Sequence, residues 1–551
     1  MTVLAPGEDA RGNAWLDVRL RGVTRGQWLV AAAAFVFSLL AAGAARRSSL
    51  TFDELAYIPA GHAQWLSGEM ALNPEHPPLA KWLAGLLPWL FEPRFDPRGL
   101  AGFNELDQWR FGVSYFTRPG VNVETTVYLA RLPTVWLGGA LVLVVASLAR
   151  KLAGSVGAVA AAIACATCPP LLGHFSVATT DGCVTFFATL ALERAVALAL
   201  MPAPSVRALV GLGLATGAAL ASKQTALAVP VGVTIGALAW IFSASGPERA
   251  ARGKQAAFAG VITVGISVVV LALTSLGTIG VDGYFGDLRI TNAGYQSYLH
   301  GHFSPHFPQY FVLALLVKLG LPLLTLGLVG WVIAFWSDRE ETFAWFGLGA
   351  TFVTFLVIVS TTMFGTGVRY ALPLVPLFAV GAARAVVWLG SAPLERVVLA
   401  VLLVWSGADI GLARFHYLSW FNQAAGGPER GSEWLDDSNV DWGQGLLDLR
   451  AWHARQARSS GGRPPELFLT QMVWYPPTVY GLECHWFTLE GMIAALDFAR
   501  PAPGVYALSE HLWNRLRAAP AGTAAARLFA RAPDERVGPF RIYRVPAHPG
   551  G

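Results

Sequence analysis

Thr51-Phe-Asp-Glu-Leu-Ala-Tyr57 and Asn73-Pro-Glu-His-Pro-Pro-Leu-Ala-Lys81 place three acids, a histidine and a lysine just past the first membrane-length apolar run. Charge so close to a bilayer is expensive unless it serves a site. Carboxylates such as Asp53, Glu54 and Glu75 can take a proton or hold a cation. Prolines flank Glu75-His76, fixing the turn and leaving both side chains projecting. That suits Glu75 to a metal or an acceptor, and His76 to a phosphate or a metal; a rigid turn with a local ion pair is the plain alternative. Glu54 completes a capping box with Thr51, so capping and direct chemistry both stand for it. Asp53 would also suit the first turn of a helix, where the dipole favours an acid. No second histidine lies at metal-ligand spacing, and His174, His300, His302 and His306 meet only if the fold gathers them. No zinc site follows, and a divalent ion through Glu75 and His76 stays open as the one cofactor.

The positive charges that could hold an anion are Arg131, Lys223, Lys318 and Arg369. Arginine grips phosphate through two parallel N–H groups, whereas lysine acts as a point charge. Lys318 lies inside an apolar run, about three turns from its outer end at ~1.5 Å per residue. Snorkelling from there is strained, while Arg131 and Arg369 at helix ends reach the interface easily. Asp181 follows Thr179-Thr180 and reads equally as a helix-start residue or as a group that orients a base or acceptor. Glu193-Arg194, toward the other end of its span, reads as structural pairing.

These residues need elements to carry them. The chain has 551 residues, 54% hydrophobic and only 14% charged, and a mean hydropathy of +0.48. Soluble chains are about 25% charged, so this is a polytopic α-helical membrane protein. A net charge of +5 is too small to point to a nucleic-acid partner, and none is expected; the basic residues read better as topology signals and candidate phosphate ligands. The four cysteines make no disulfide framework, and Cys165-Ala-Thr-Cys168 sits in an apolar helix as two small buried residues.

About eleven runs approach the ~20 residues that span a hydrocarbon core. They fall near 27–45, 127–149, 153–172, 182–201, 206–221, 225–243, 257–278, 309–336, 342–361, 369–389 and 394–414. With residues 1–26 a cytoplasmic tail, every inner loop carries a base: Arg150-Lys151, Arg207, Arg249 to Lys254, Arg339 and Arg396, as the positive-inside rule asks. The first run then reads as a retained anchor. Asp53, Glu54, Glu75, His76, Asp181, Lys223, the 279–308 loop and Arg369 all fall at outer helix ends, which predicts one pocket at that face. The outer loop 46–126 is expected to hold an amphipathic helix from Thr51 to Gly68 and a short apolar segment Leu79–Phe91, both in the interface. Residues 27–415 form the membrane domain. Residues 416–551 form a small extracytoplasmic α/β domain, with strands at Leu467–Trp474, Gly504–Leu508 and Phe540–Val545 and a helix at Gly445–Arg458. Asp437, Asn439, Asp441 and Asp448 imitate a calcium loop, but Trp442 stands where its glycine belongs. A structural turn or an acceptor contact is the expectation there.

Taken together, the pieces resemble the GT-C polyprenyl-phosphate-sugar glycosyltransferases, in particular the protein O-mannosyltransferase-like family, whose core the lipid A aminoarabinose transferases share. The matching motifs are Asp53-Glu-Leu-Ala-Tyr57, Leu72-Asn-Pro-Glu-His-Pro-Pro-Leu-Ala-Lys81, Ala130-Arg-Leu-Pro133, Ala178-Thr-Thr-Asp181, Ser222-Lys223, Tyr310 through Lys318 and Gly367-Val-Arg-Tyr-Ala-Leu-Pro373. Tyr417 to Leu449 looks like a bacterial subgroup with a periplasmic tail. The resemblance covers roughly residues 27–450. It implies a GT-C fold in a bacterial inner membrane, and a sugar donor on a polyprenyl phosphate. It also implies transfer with inversion at the outer face, with Asp53 activating the acceptor. On this reading Asp53, Glu54 and Glu75 are catalytic, and His76, Lys81, Arg131, Asp181, Lys223, Lys318, Arg369 and Tyr370 bind substrate. The partners implied are the lipid-linked donor, membrane lipids and an acceptor that is a protein, lipid A, a glycan or another lipid. No β-trefoil-like insertion separates the spans. The rivals are a transporter of lipid-linked sugars, for which neither inverted repeats nor broken mid-membrane helices are evident, and a non-catalytic assembly subunit, against which the intact Asp53 argues.

Overall fold

This computed structural model describes residues 14–20, 23–201, 204–276, 295–337, 342–362, 365–390, 392–487, 502–517 and 531–546. Among them, eight helices are long and apolar enough to cross a membrane: Arg25–Arg47, Val123–Ala166, Thr180–Ala199, Gln224–Phe242, Gly246–Thr274, Phe343–Thr361, Val368–Trp388 and Pro393–Ala413. Val206–Leu220 and Leu321–Trp336 are apolar but shorter. The protein is a polytopic helical membrane protein with a small sheet region.

The count of eleven differs from these eight for local reasons. Two expected spans run together as Val123–Ala166, broken where Ala153 leaves the helical region and Gly154 adopts φ +66°. The 309–336 run is two helices, Tyr310–Lys318 and Leu321–Ser337. The 279–294 part of the expected outer loop lies outside the described residues. Its remainder includes a hairpin pairing Ser297–Leu299 with His302–Ser304.

Caps set several helix starts. Thr24 and Gln27 form a reciprocal box at Arg25, and the Asn122 side chain accepts from Thr125 N at 3.0 Å. The first loop holds helices Glu54–Ser67, Leu79–Phe91 and Gln108–Thr117. Gly68 ends the first of these at φ +75°, a conformation glycine adopts without a Cβ penalty. Every residue from Glu54 to Gln64 is buried, so this helix is not the half-exposed interfacial one expected. Glycines explain the difference. A Cβ on Gly61 would lie 2.0 Å from the Lys81 carbonyl oxygen, and one on Gly112 would lie 2.1 Å from that of Leu55. Backbones therefore touch on two sides, and the helix becomes the core of its own loop. Trp65 stacks on Trp89 at 5.2 Å and donates to the Trp82 carbonyl at 2.8 Å.

After the last membrane helix, a mixed sheet holds His485–Phe487, Leu467–Thr470, Gly504–Ser509, Phe540–Val545 and Glu535–Val537 side by side in that order. The first three strands are parallel and the last two pair antiparallel. Helix Leu446–Ser459 packs through Leu446, Leu449 and Trp452. Leu55, Ile58 and Phe111 of the first loop share one apolar cluster with Leu469, Tyr475 and Ile542. The sheet region is thus seated on the loop that carries Asp53.

Candidate active site

Asp53, Asp181, Lys223 and Arg369 meet at one end of the bundle, from four separate segments. Asp53 precedes helix Glu54–Ser67 and makes no capping bond, which leaves its carboxylate for Arg369; the two form a direct ion pair. Asp181, in the first turn of Thr180–Ala199, accepts from Lys223 Nζ at 2.6 Å and lies 3.8 Å from the Arg369 guanidinium. It is an ion-pair partner and caps nothing. Lys223 stands 4.0 Å over the Tyr370 ring, and the Arg369 guanidinium carbon is 4.9 Å from the same ring. Two acids and two cations thus alternate over an aromatic floor. The Asp53 side chain is 15% exposed while that of Asp181 is 1% exposed, so Asp53 is the more accessible of the two acids. Burial raises the Asp53 carboxyl above its ordinary range, against the opposing pull of Arg369.

Glu75 and His76 border this cluster. Gln108 Nε2 donates to Glu75 Oε1 at 3.0 Å, and Gln224 holds the Glu75 carbonyl at 3.0 Å. Burial raises the Glu75 carboxyl, and nearby Asp53 adds to the rise. His76 lies edge-on to Tyr57 at 5.6 Å; burial, then Lys223 and Lys81, keeps it neutral far below its ordinary range. His174 is likewise pushed down to about 3 by burial. Among the described residues no three His, Cys, Asp or Glu are grouped to hold a metal ion. The calcium-like spacing is dispersed as well. Asp437 takes the Tyr295 hydroxyl, Asp441 the Ser509 hydroxyl, and Asp448 faces His416 at 3.8 Å.

Four expected site residues are turned to structural contacts. Glu54 Oε2 accepts from Thr51 N at 3.0 Å, and Oε1 from Ala178 N at 2.8 Å. Arg131 binds both Glu54 oxygens at 2.8 and 2.6 Å. It also donates to the Ala45, Ser48 and Ser49 carbonyls, each at 2.7 Å. Both side chains are 0% exposed. Burial opposes the Glu54 charge, but Arg131 and the two backbone N–H groups hold its carboxyl below the ordinary range. A base or a phosphate ligand needs open valences, and this pair has none. Lys318 ends its helix and donates to the Leu418 and Asn439 carbonyls at 2.7 and 2.9 Å. The chain beyond the membrane folds back onto it, which removes the need to snorkel. Lys81 binds the carbonyls of Asn73 and His76, so it pins the Pro-Glu-His-Pro turn; burial lowers its pKa to about 7.

Gln108 carries no sequence signal of its own; His174 stood only among the histidines that the fold would have to gather, and Trp442 only as the residue that breaks the calcium-like pattern. Its ring lies 4.4 Å from the Arg369 guanidinium and 6.1 Å from His174.

The chain matches no protein-family model and no curated protein sequence. Solved structures similar to it include ArnT from Cupriavidus metallidurans, apo and bound to undecaprenyl phosphate. Each shows 15% identity and a TM-score of 0.48, over 94% of this chain and 97% of that one. The Archaeoglobus fulgidus oligosaccharyltransferase with Zn and sulfate gives a TM-score of 0.47 at 12% identity, over 81% of this chain and 60% of that one. The S. cerevisiae protein O-mannosyltransferase Pmt1-Pmt2 complex gives 0.36 at 18% identity, over 52% and 39%.

Away from the charged cluster, an apolar cavity of about 540 Å³ lies among five membrane helices. Leu192, Leu220, Val233 and Phe343 line it, together with Val264 and Val268. These two valines stay 59% and 51% exposed, so the cavity opens sideways toward lipid. Leu220 closely precedes Lys223 in the chain.

Proposed function

We propose that the protein is an inverting GT-C-type glycosyltransferase that moves a sugar from a polyprenyl phosphate to an acceptor hydroxyl. The observation that carries this reading is the Asp53–Arg369–Asp181–Lys223 cluster. It combines one reachable acid with two cations that can meet an anion at the end of a membrane bundle. The acceptor oxygen attacks the anomeric carbon and its proton passes to Asp53. The bond from that carbon to the phosphate oxygen breaks, and the phosphate leaves with the electron pair. Arg369 and Lys223 neutralise that charge, Arg369 through paired N–H groups and Lys223 as a point charge. When phosphate takes Arg369, Asp53 loses its partner and becomes the stronger base. Asp181 keeps Lys223 aimed, and Glu75, steadied by Gln108, orients the acceptor. The lateral apolar cavity suits the lipid tail. Arg131, Lys318, Lys81 and Glu54 hold this arrangement and do not touch substrate. We place the site and the residues after 415 on the periplasmic side of a bacterial inner membrane, supported by the basic inner loops.

A transporter needs the cations but no base, so the test is chemical. Purified protein in vesicles is given a radiolabelled polyprenyl-phosphate sugar with native envelope lipids and proteins as acceptors. Transfer by wild type is expected. Asp53→Asn should lower it by about 10²–10⁴-fold, the usual worth of a positioned base, while carrier lipid still binds. Carrier binding without transfer, unchanged in Asp53→Asn, would instead indicate a transporter or subunit.

A further inference from the structure

We infer that the segment Asp436–Gln444, beyond the last membrane helix, is the floor of the active site, and that Trp442 is a positioning residue for Arg369. This rests on the proposed roles of Arg369 and Asp53. Those two residues lie 316 positions apart in the chain, and one short segment holds the backbone beside each of them. On the Asp53 side, the Trp442 carbonyl accepts from Phe52 N at 2.9 Å. Next to it, Ser49 N donates to the Gln444 carbonyl at 3.0 Å and the Ser49 hydroxyl to the Gly443 carbonyl at 2.7 Å. On the Arg369 side, the Ser438 hydroxyl donates to the Thr366 carbonyl at 2.5 Å, and Val368 N donates to Asn439 Oδ1 at 3.0 Å. Contact there is so close that a Cβ on Gly367, at φ +158°, would sit 2.0 Å from Ser438 Oγ.

Trp442 joins the two halves, with its ring fully buried beneath the guanidinium. The choice of side chain has a chemical reason. An aromatic face attracts a cation without accepting its N–H bonds. Arg369 is thus steadied from below while its donors stay directed at Asp53, Asp181 and an incoming phosphate. A carboxylate in the same place would compete for those donors. The segment is itself anchored in the sheet region. Asp436 binds His511 at 2.9 Å and faces Arg515 at 3.4 Å, and Asp441 takes the Ser509 hydroxyl.

The full-length protein in vesicles tests this with Trp442→Leu, which removes the π face, and Trp442→Phe, which keeps one. Two readouts are taken: binding of sugar-free undecaprenyl phosphate, and the pH dependence of kcat/KM with the sugar-bearing donor. Trp442→Leu is expected to weaken probe binding by about five- to thirty-fold, the range of a desolvated cation–π contact, and Trp442→Phe to restore most of it. The acid limb of the rate profile should move to higher pH in Trp442→Leu, because Asp53 then feels less of Arg369. The other charged or titratable groups around Asp53 and Arg369 are Asp181, Lys223, Glu75, Tyr57, Tyr310, Tyr370 and Asp437, with His76 and His174 nearby; both variants leave all of them in place. Equal losses in Leu and Phe with an unmoved acid limb would reduce Trp442 to core packing and overturn the inference. Should Trp442→Leu not fold, Trp442→Phe with wild-type binding and acid limb supports the inference, and a Phe variant as impaired as Arg369→Gln overturns it. Probe binding without transfer by wild type removes the transferase reading alone, and the binding arm still decides the inference. No probe binding by wild type overturns both.

Discussion

Asp53 and Glu54 are chain neighbours whose chemistry separates because adjacent helical residues point to different sides. Glu54 turns inward to Arg131 and two backbone N–H groups, whereas Asp53 stays partly exposed beside Arg369. Their variants should therefore fail differently. Breaking a buried ion pair from one side costs about 3–5 kcal/mol, while replacing both partners by apolar groups is much milder. Glu54→Gln should lower thermal stability in detergent, and Glu54→Leu combined with Arg131→Met should recover much of it. Asp53→Asn, which leaves Arg369 facing Asp181 at 3.8 Å, should lower the melting point less than Glu54→Gln does and lower activity by about 10²–10⁴-fold. If Asp53 is the base, as proposed, it must be ionised, and activity should fall as pH drops through the Asp53 pKa. Burial raises that pKa, so the acid limb of kcat/KM should lie above the ordinary aspartate range; a limb at or below that range would contradict the assignment. That Asp53 and Arg369 come together was legible because their motifs sit at helix ends of one side. Arg131 and Lys318 were misread because position along a chain cannot show which carbonyls fold back to meet a charge.

At the level of elements, helix–helix contact in the first loop depends on Gly61 and Gly85. A Cβ on Gly85 would stand 2.0 Å from the Gly61 carbonyl carbon. Gly85→Val should therefore destabilise by ~1–3 kcal/mol or more, the usual range for overpacking, and lower the yield of folded protein. A second element-level prediction concerns His511 against Asp436. Burial works against the His511 charge, but Asp436 prevails and raises its pKa above 6.5. The stabilisation this gives is full below the unfolded value and fades as pH rises through the higher folded value. Wild type should lose thermal stability across that interval, and His511→Asn should flatten the slope. Helix Leu79–Phe91 and strand Phe540–Val545 could be read from apolar run length and alternation. The burial of Glu54–Ser67 could not, because its partner faces come from residues with no periodic signal of their own.

For the molecule as a whole, convergence of Asp53, Asp181, Lys223 and Arg369 at one end agrees with the alternation of basic loops at the other. Labelling can check the sides. In a Cys484→Ser background, Ser460→Cys should react with an impermeant maleimide on spheroplasts, and Ser245→Cys only after permeabilisation. Equal reactivity would refute the topology. Helix count was hard to read, since a kink at Gly154 and a break after Lys318 blur where one crossing ends. The acid and the cations lie before residue 370, yet the floor beneath them lies at Asp436–Gln444. Chains are made from the N-terminus, so all eight membrane-length helices among the described residues are made before that floor exists. A growing or truncated chain would hold the charges without the surface that aligns them, so the proposed transfer would begin only in the finished molecule.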